Sequence, residues 1–113
     1  MTTLAGKTAL ITGGGTGLGF GVARRFLECG ATVVIAGIDE QQVLDASQSL
    51  QKEFPAGNIS FRHCDITNEQ QVIDTVSSID NLDILVANAG SGAPGPMLEL
   101  DVQMWQFACT LNI

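Results

Sequence analysis

Thr12-Gly13-Gly14-Gly15-Thr16-Gly17-Leu18-Gly19 is the stretch on which the reading of this 113-residue chain turns. Six of the thirteen glycines fall between Gly13 and Gly21, so the glycine excess is a local motif and not low complexity. The apolar run Thr8-Ala9-Leu10-Ile11-Thr12 precedes it and reads as a buried strand. A helical pattern follows it. A glycine loop between a strand and a helix start offers free backbone N–H groups at the positive end of the helix, where a pyrophosphate can sit. Glycine suits such a loop because it adopts positive φ and leaves no Cβ to collide with phosphate oxygens. The spacing Gly13-x-x-x-Gly17-x-Gly19 is neither the G-x-G-x-x-G fingerprint nor a Walker A loop, since Phe20 stands where a lysine would be required. Gly6-Lys7-Thr8 precedes the strand and cannot serve as a phosphate loop.

Outward from the motif, strand and helix alternate. Leu18, Val22 and Phe26, with Ala23 and Leu27 beside them, predict one helical face, which Gly30 stops. Ala31 to Ala36 is apolar on both faces, as a central parallel strand requires. Val43, Ala46, Leu50 and Phe54 predict a second helix, ended by Pro55 and Gly57. Ile59-Ser60-Phe61 opens a third strand. Thr67-Asn68-Glu69-Gln70 reads as a capping box for a third helix with Val72, Ile73, Val76 and Ile79 inward. Asp83 to Ala87 is a fourth strand, and Ser91 to Pro96 a loop. Asp101 caps a fourth helix carrying Val102, Trp105, Cys109 and Ile113. Short connections between such elements imply right-handed βαβ units and a parallel sheet. Ligands then bind at the carboxyl ends of the strands. The fourth helix runs to Ile113 without Gly, Pro or a basic last turn, so the fold is expected to continue beyond it.

Composition narrows the function. Five Lys+Arg against twelve Asp+Glu, a net charge of −7, disfavour a nucleic-acid partner and an anionic membrane surface. No run of about 18 apolar residues suggests a membrane span. Cys29, Cys64 and Cys109 read as buried thiols in a reducing compartment, giving an expected cytoplasmic location. One histidine rules out a His-rich metal site, and His63 reads as a strand-end residue. Ser91 lacks a nucleophile elbow, because Ala89 and Ala93 break the pattern. Trp105, Met97 and Met104 read as packing residues.

The motif Thr12-Gly13-x-x-x-Gly17-x-Gly19 resembles the cofactor motif of the short-chain dehydrogenase/reductase family. Three further matches follow in order. Asp65, after the third strand, matches the family Asp that contacts adenine. Asn88-Ala89-Gly90 matches its Asn-Asn-Ala-Gly segment, with Ala87 in place of the first Asn. Asn112 matches the Asn of its catalytic tetrad. The resemblance implies an α/β, Rossmann-like, doubly wound parallel sheet of four strands in the order 3-2-1-4 with helices on both faces, C-terminally incomplete. It implies pyrophosphate over Gly13, Thr16, Gly17, Leu18 and Gly19, the adenosine end near Ile38, Asp39, Asp65 and Ile66, and the nicotinamide ribose near Asn88, Ala89 and Gly90. It also implies a homo-oligomer, built through the helix that starts at Asp101.

The cofactor is then NAD or NADP. NAD-users of the family resemble one another in an Asp at the position of Gly37, and NADP-users often carry Arg at that of Ile38; this chain has neither. Asp39 lies about 20 residues beyond the motif, where an acid holds the ribose 2′-OH. With Glu40 near and no base close by in sequence, the reading leans to NAD. The complete protein is expected to move hydride between NAD(P) and a carbonyl or alcohol. In the family a Tyr moves the substrate proton, a Lys lowers its pKa and a Ser orients the carbonyl. The chain contains no tyrosine. It is therefore expected to be a dinucleotide-binding unit over residues 1–113, ending before the Ser/Tyr/Lys segment and inactive alone. The alternatives are a non-catalytic module that binds nucleotide or a partner, and a flavodoxin-like domain, disfavoured by the richness of the glycine loop.

Overall fold

The structure, a computed structural model, describes residues 3–13, 15 and 17–87. In chain order the elements are β1 (Thr8–Thr12), α1 (Gly17–Glu28), β2 (Thr32–Gly37), α2 (Glu40–Glu53), β3 (Ile59–His63), α3 (Glu69–Ser77) and β4 (Ile84–Ala87). The strands form one sheet in the order β3-β2-β1-β4, every pair parallel. The expected order 3-2-1-4 is therefore observed. The anticipated fourth helix, from Asp101, lies outside the described residues.

Successive residues of a strand point to opposite faces, and here they feed two separate cores. Ile11, Val33 and Ile35 pack with Ala23 and Leu27 of α1 and Val43, Ala46 and Leu50 of α2. Leu10, Val34 and Ala36 pack with Cys64 and with Val72 and Val76 of α3. Helices thus cover both faces of the sheet, which explains why β1 from Ala9 to Ile11 and β2 from Val33 to Ala36 are apolar without alternation. Fully burying each such Leu, Ile or Val contributes about 1.5–3 kcal/mol relative to exposure.

The helix ends differ in detail from the sequence pattern. Gly30, at φ 90°, stops α1 by turning the chain left-handed after Glu28. Leu18 does not belong to the buried face of α1: Gly19, Ala23 and Leu27 do, and Leu18 is 74% exposed. It sits in the first turn, beyond the sheet that the rest of the helix covers. The third helix is capped by Asn68 and not by Thr67: Asn68 Oδ1 accepts from the Gln71 N–H at 3.1 Å. Thr67 instead spends its hydroxyl on Asp65, and the cap moves one residue on. Ile73 and Ile79 pack against the second core beside Val72 and Val76, as their spacing predicts.

Candidate functional site

The site lies along the carboxyl edge of the sheet. β1 delivers Gly13 there, with φ 68°, and α1 begins at Gly17, with φ 59°. Both are left-handed conformations that cost an L-residue about 1–2 kcal/mol. A Cβ on Gly17 would meet nothing within 4 Å, so the backbone angle and not crowding calls for glycine there. The first turn of α1 holds no acidic residue, whereas α2 and α3 carry Glu40 and Glu69 in theirs. The positive end of the α1 dipole is thus the one left without a carboxylate in its own first turn, the condition for attracting an anion.

β2 ends beside it. The Gly13 N–H donates to the Ala36 carbonyl at 2.8 Å, joining the glycine loop to the end of β2. Ile38, next in line after Gly37, is 66% exposed. With Leu18 it forms the pair of large apolar side chains that the described residues leave in water. Exposed apolar side chains of this size suit the faces of a planar ligand. Asp39 has a structural job the sequence did not disclose: it is the N-cap of α2, its Oδ1 accepting from the Gln42 N–H at 3.1 Å. Gly37 is required by packing, since a Cβ there would lie 2.7 Å from Val43 Cγ1. An Asp at that position would have to displace the buried Val43 side chain.

β3 completes the edge. The Cys64 N–H donates to the Gly37 carbonyl at 2.9 Å, and His63 Nε2 donates to the Ile38 carbonyl at 2.8 Å. Asp65 Oδ1 accepts from the Thr67 hydroxyl at 2.7 Å and the Thr67 N–H at 3.0 Å. These two bonds, hydroxyl first, hold its carboxyl below the ordinary aspartate range, with the nearby His63 adding to the effect against a small desolvation cost. Asp65 is therefore an ionised acceptor, its Oδ1 held by Thr67. Burial pushes the neighbouring Cys64 thiol up, partly offset by its hydrogen bond with Thr75, which makes it an inert core group. Gly13, Gly17, Leu18, Gly19, Ile38, Asp39, Asp65 and Ile66 are thus brought to one edge. Thr16, Asn88, Ala89, Gly90 and Asn112 lie outside the described residues. Gln42 and His63, which no motif singled out for the site, join it.

Among the described residues no group of three or more His, Cys, Asp or Glu could hold a metal ion. No helix among them is long and apolar enough to cross a membrane.

A parallel sheet in this order, with a glycine loop opening its first helix, defines a Rossmann-type nucleotide-binding fold. The sequence model of the short chain dehydrogenase family matches residues 7–113. The chain belongs to that family of oxidoreductases. It is 36% identical over 115 residues to Short-chain dehydrogenase reductase 3a of Arabidopsis thaliana, an alignment covering 97% of the chain and 43% of that protein. The crystal structure of hydroxysteroid dehydrogenase from Escherichia coli superposes with a TM-score of 0.83 at 29% identity, over 97% of the chain and 53% of the other. The RhlG/NADP active-site complex of Pseudomonas aeruginosa does so with a TM-score of 0.74 at 29% identity, over 97% of the chain and 47% of the other. The chain spans about half the length of these relatives.

Proposed function

We propose that this chain is the dinucleotide-binding part of an NAD(P)-dependent oxidoreductase acting on an alcohol or carbonyl substrate. The observation that carries the reading is the start of α1: positive-φ glycines and a helix N-terminus without a first-turn acid, set beside the end of β2. A pyrophosphate there sits over the loop from Gly13 to Gly19, held by backbone N–H groups beyond Gly13, whose own N–H is given to Ala36, with Thr16 in the same loop. The adenosine end lies against Ile38, Asp39, Asp65 and Ile66, where the ionised Asp65 accepts a hydrogen bond from the adenine amino group. The nicotinamide ribose lies near Asn88, Ala89 and Gly90, and Asn112 is the tetrad member of this chain. When bound, the dinucleotide supplies the hydride chemistry. The chain's own residues bind and orient it.

The reading favours NAD over NADP. All five Lys and Arg of the sequence are engaged or distant. Arg24 and Arg25 pair with Glu28, and Arg24 also with Glu53. The Arg62 guanidinium is spent on Ser78, Ser60 and the Phe61 carbonyl. Lys7 precedes β1 at the opposite edge, and Lys52 lies in the last turn of α2. No Lys or Arg thus stands free at the end of β2 to neutralise a 2′-phosphate, and Asp39 repels one by about 1 kcal/mol or more per unit charge at 4 Å.

General acid–base transfer to a carbonyl needs a positioned side chain of suitable pKa. With no tyrosine in its 113 residues, the chain does not itself supply the family's proton donor. The test is a titration of the purified chain with NAD+ and NADP+ by calorimetry, followed by an assay with both reduced cofactors and a carbonyl panel. Saturable binding without turnover is expected. Absence of binding would remove the proposal, and turnover above a protein-free control would remove its second half.

A further inference from the structure

We infer that Gln42 is a specificity-determining residue of the dinucleotide site, reading the adenosine ribose 2′-hydroxyl; this rests on the dinucleotide-binding reading above. Three observations meet at this side chain. First, it bridges the two walls of the site. Its backbone N–H is held by Asp39, at the end of β2. Its side chain lies over the glycine loop: a Cβ built on Gly15 would be 2.9 Å from Gln42 Cγ and 3.1 Å from its Oε1. The ribose is the part of a dinucleotide that must span this same interval, between pyrophosphate on the loop and adenine beyond Ile38.

Second, its amide is uncommitted among the described residues. Gln42 is the third residue of α2, behind an Asp N-cap. A Gln at that position commonly reaches back to the backbone of the cap. Gln71, its counterpart in α3, does use its side-chain oxygen locally, accepting from the Asp65 N–H at 2.8 Å. The adjacent Gln41 amide is bound to Asp45 at 2.8 Å. The Gln42 amide makes no hydrogen bond to another described residue. It lies against Gly15 with a donor and an acceptor that no described residue takes up.

Third, its neighbours leave room for a second reader beside Asp39. Gly37 has no side chain, Ile38 is apolar, and Asp39 commits one carboxylate oxygen to capping α2. A neutral amide can both accept from a hydroxyl and donate to it, but cannot neutralise a phosphate. Gln42 therefore matches a free 2′-hydroxyl and gives a 2′-phosphate no counter-charge.

The experiment measures dissociation constants of NAD+ and NADP+ for the unmodified chain, Gln42→Arg, Gln42→Ala and, as a control for added charge, Gln41→Arg. Ala and Arg are strong helix formers and the position is exposed, so the fold tolerates both; circular dichroism checks this. Gln42→Arg is expected to shift the NADP+/NAD+ preference by about 10-fold or more toward NADP+. Gln42→Ala should weaken NAD+ by about 3- to 10-fold and change NADP+ little. Gln41→Arg should leave the preference where it was. If the unmodified chain binds neither dinucleotide, the reading of the site falls and this inference with it. If it binds but neither Gln42 change moves the preference, or Gln41→Arg moves it equally, the inference alone is overturned.

Discussion

His63 Nε2 donates to the Ile38 carbonyl across 2.8 Å, fastening the last residue of β3 to the turn that follows β2. Ile38 and Asp39 stand at the adenosine end of the proposed site, so this bond fixes the wall on which a ribose and adenine would rest. His63→Ala should weaken dinucleotide binding by about 2- to 10-fold, the usual net worth of one hydrogen bond. Because His63 is exposed, the same change should lower Tm by only a few degrees. Equal affinity for the two proteins in a calorimetric titration would show that the wall holds without it.

Glycine substitutions in α1 should have opposite signs. Gly17 has φ 59°, so Gly17→Ala is expected to cost about 1–2 kcal/mol of stability and to weaken pyrophosphate binding. Gly21 is helical with open space where a Cβ would go, and Gly21→Ala should stabilise by about 0.5–1 kcal/mol. Urea unfolding of both variants checks the pair. Two shifts of the same sign would contradict the backbone argument.

Gly37 and Val43 should be energetically coupled. Gly37→Ala puts a methyl 2.7 Å from Val43 Cγ1 and is expected to cost about 1–3 kcal/mol. Val43→Ala removes the obstructing methyls at its own cost in the core. In a double-mutant cycle the pair should cost less than the sum of the single changes. Strict additivity would mean that the crowding is relieved elsewhere.

The clasp on Asp65 makes a pH-dependent contribution. Its native pKa lies below the ordinary aspartate value of about 3.9 because Thr67 donates twice to one carboxylate oxygen. A lowered native value means stability that is complete above the unfolded pKa and lost as pH falls through the native one. Thr67→Val should therefore lower Tm near pH 7 and have a much smaller effect near pH 2. A Tm difference that is the same at both pH values would show that the carboxylate is not the partner that matters.

What could be read in the sequence was whatever depends on local pattern. The alternating elements, the two covered faces and the glycine loop follow from apolar periodicity and from the spacing of Gly13, Gly17 and Gly19, whereas the strand order was implied only by the family resemblance. Leu18 escaped the pattern, since it keeps helical spacing with Val22 but lies where the sheet no longer covers the helix. Thr67 and Asn68 are both good caps, and which of them caps α3 depends on Asp65, two residues upstream, engaging the threonine. Gly37 looks like a missing aspartate until Val43 is seen beside it, a contact no spacing rule encodes. Asp39 was legible as an acid about 20 residues past the motif, but its capping of α2 required the backbone geometry at the turn. Gln42 carries no motif at all. Its position over Gly15 exists because α2 starts where it does, and that start is set by Asp39.

The bonds that assemble the carboxyl edge end largely on main-chain carbonyls: Gly13 to Ala36, Cys64 to Gly37 and His63 to Ile38. The frame of the site is therefore nearly indifferent to which side chains stand at 38 and 42. A lineage, or a randomised library, can exchange those two residues one at a time without passing through an unfolded intermediate. Cofactor preference in such a scaffold is free to drift under selection, while the sheet beneath it remains unchanged.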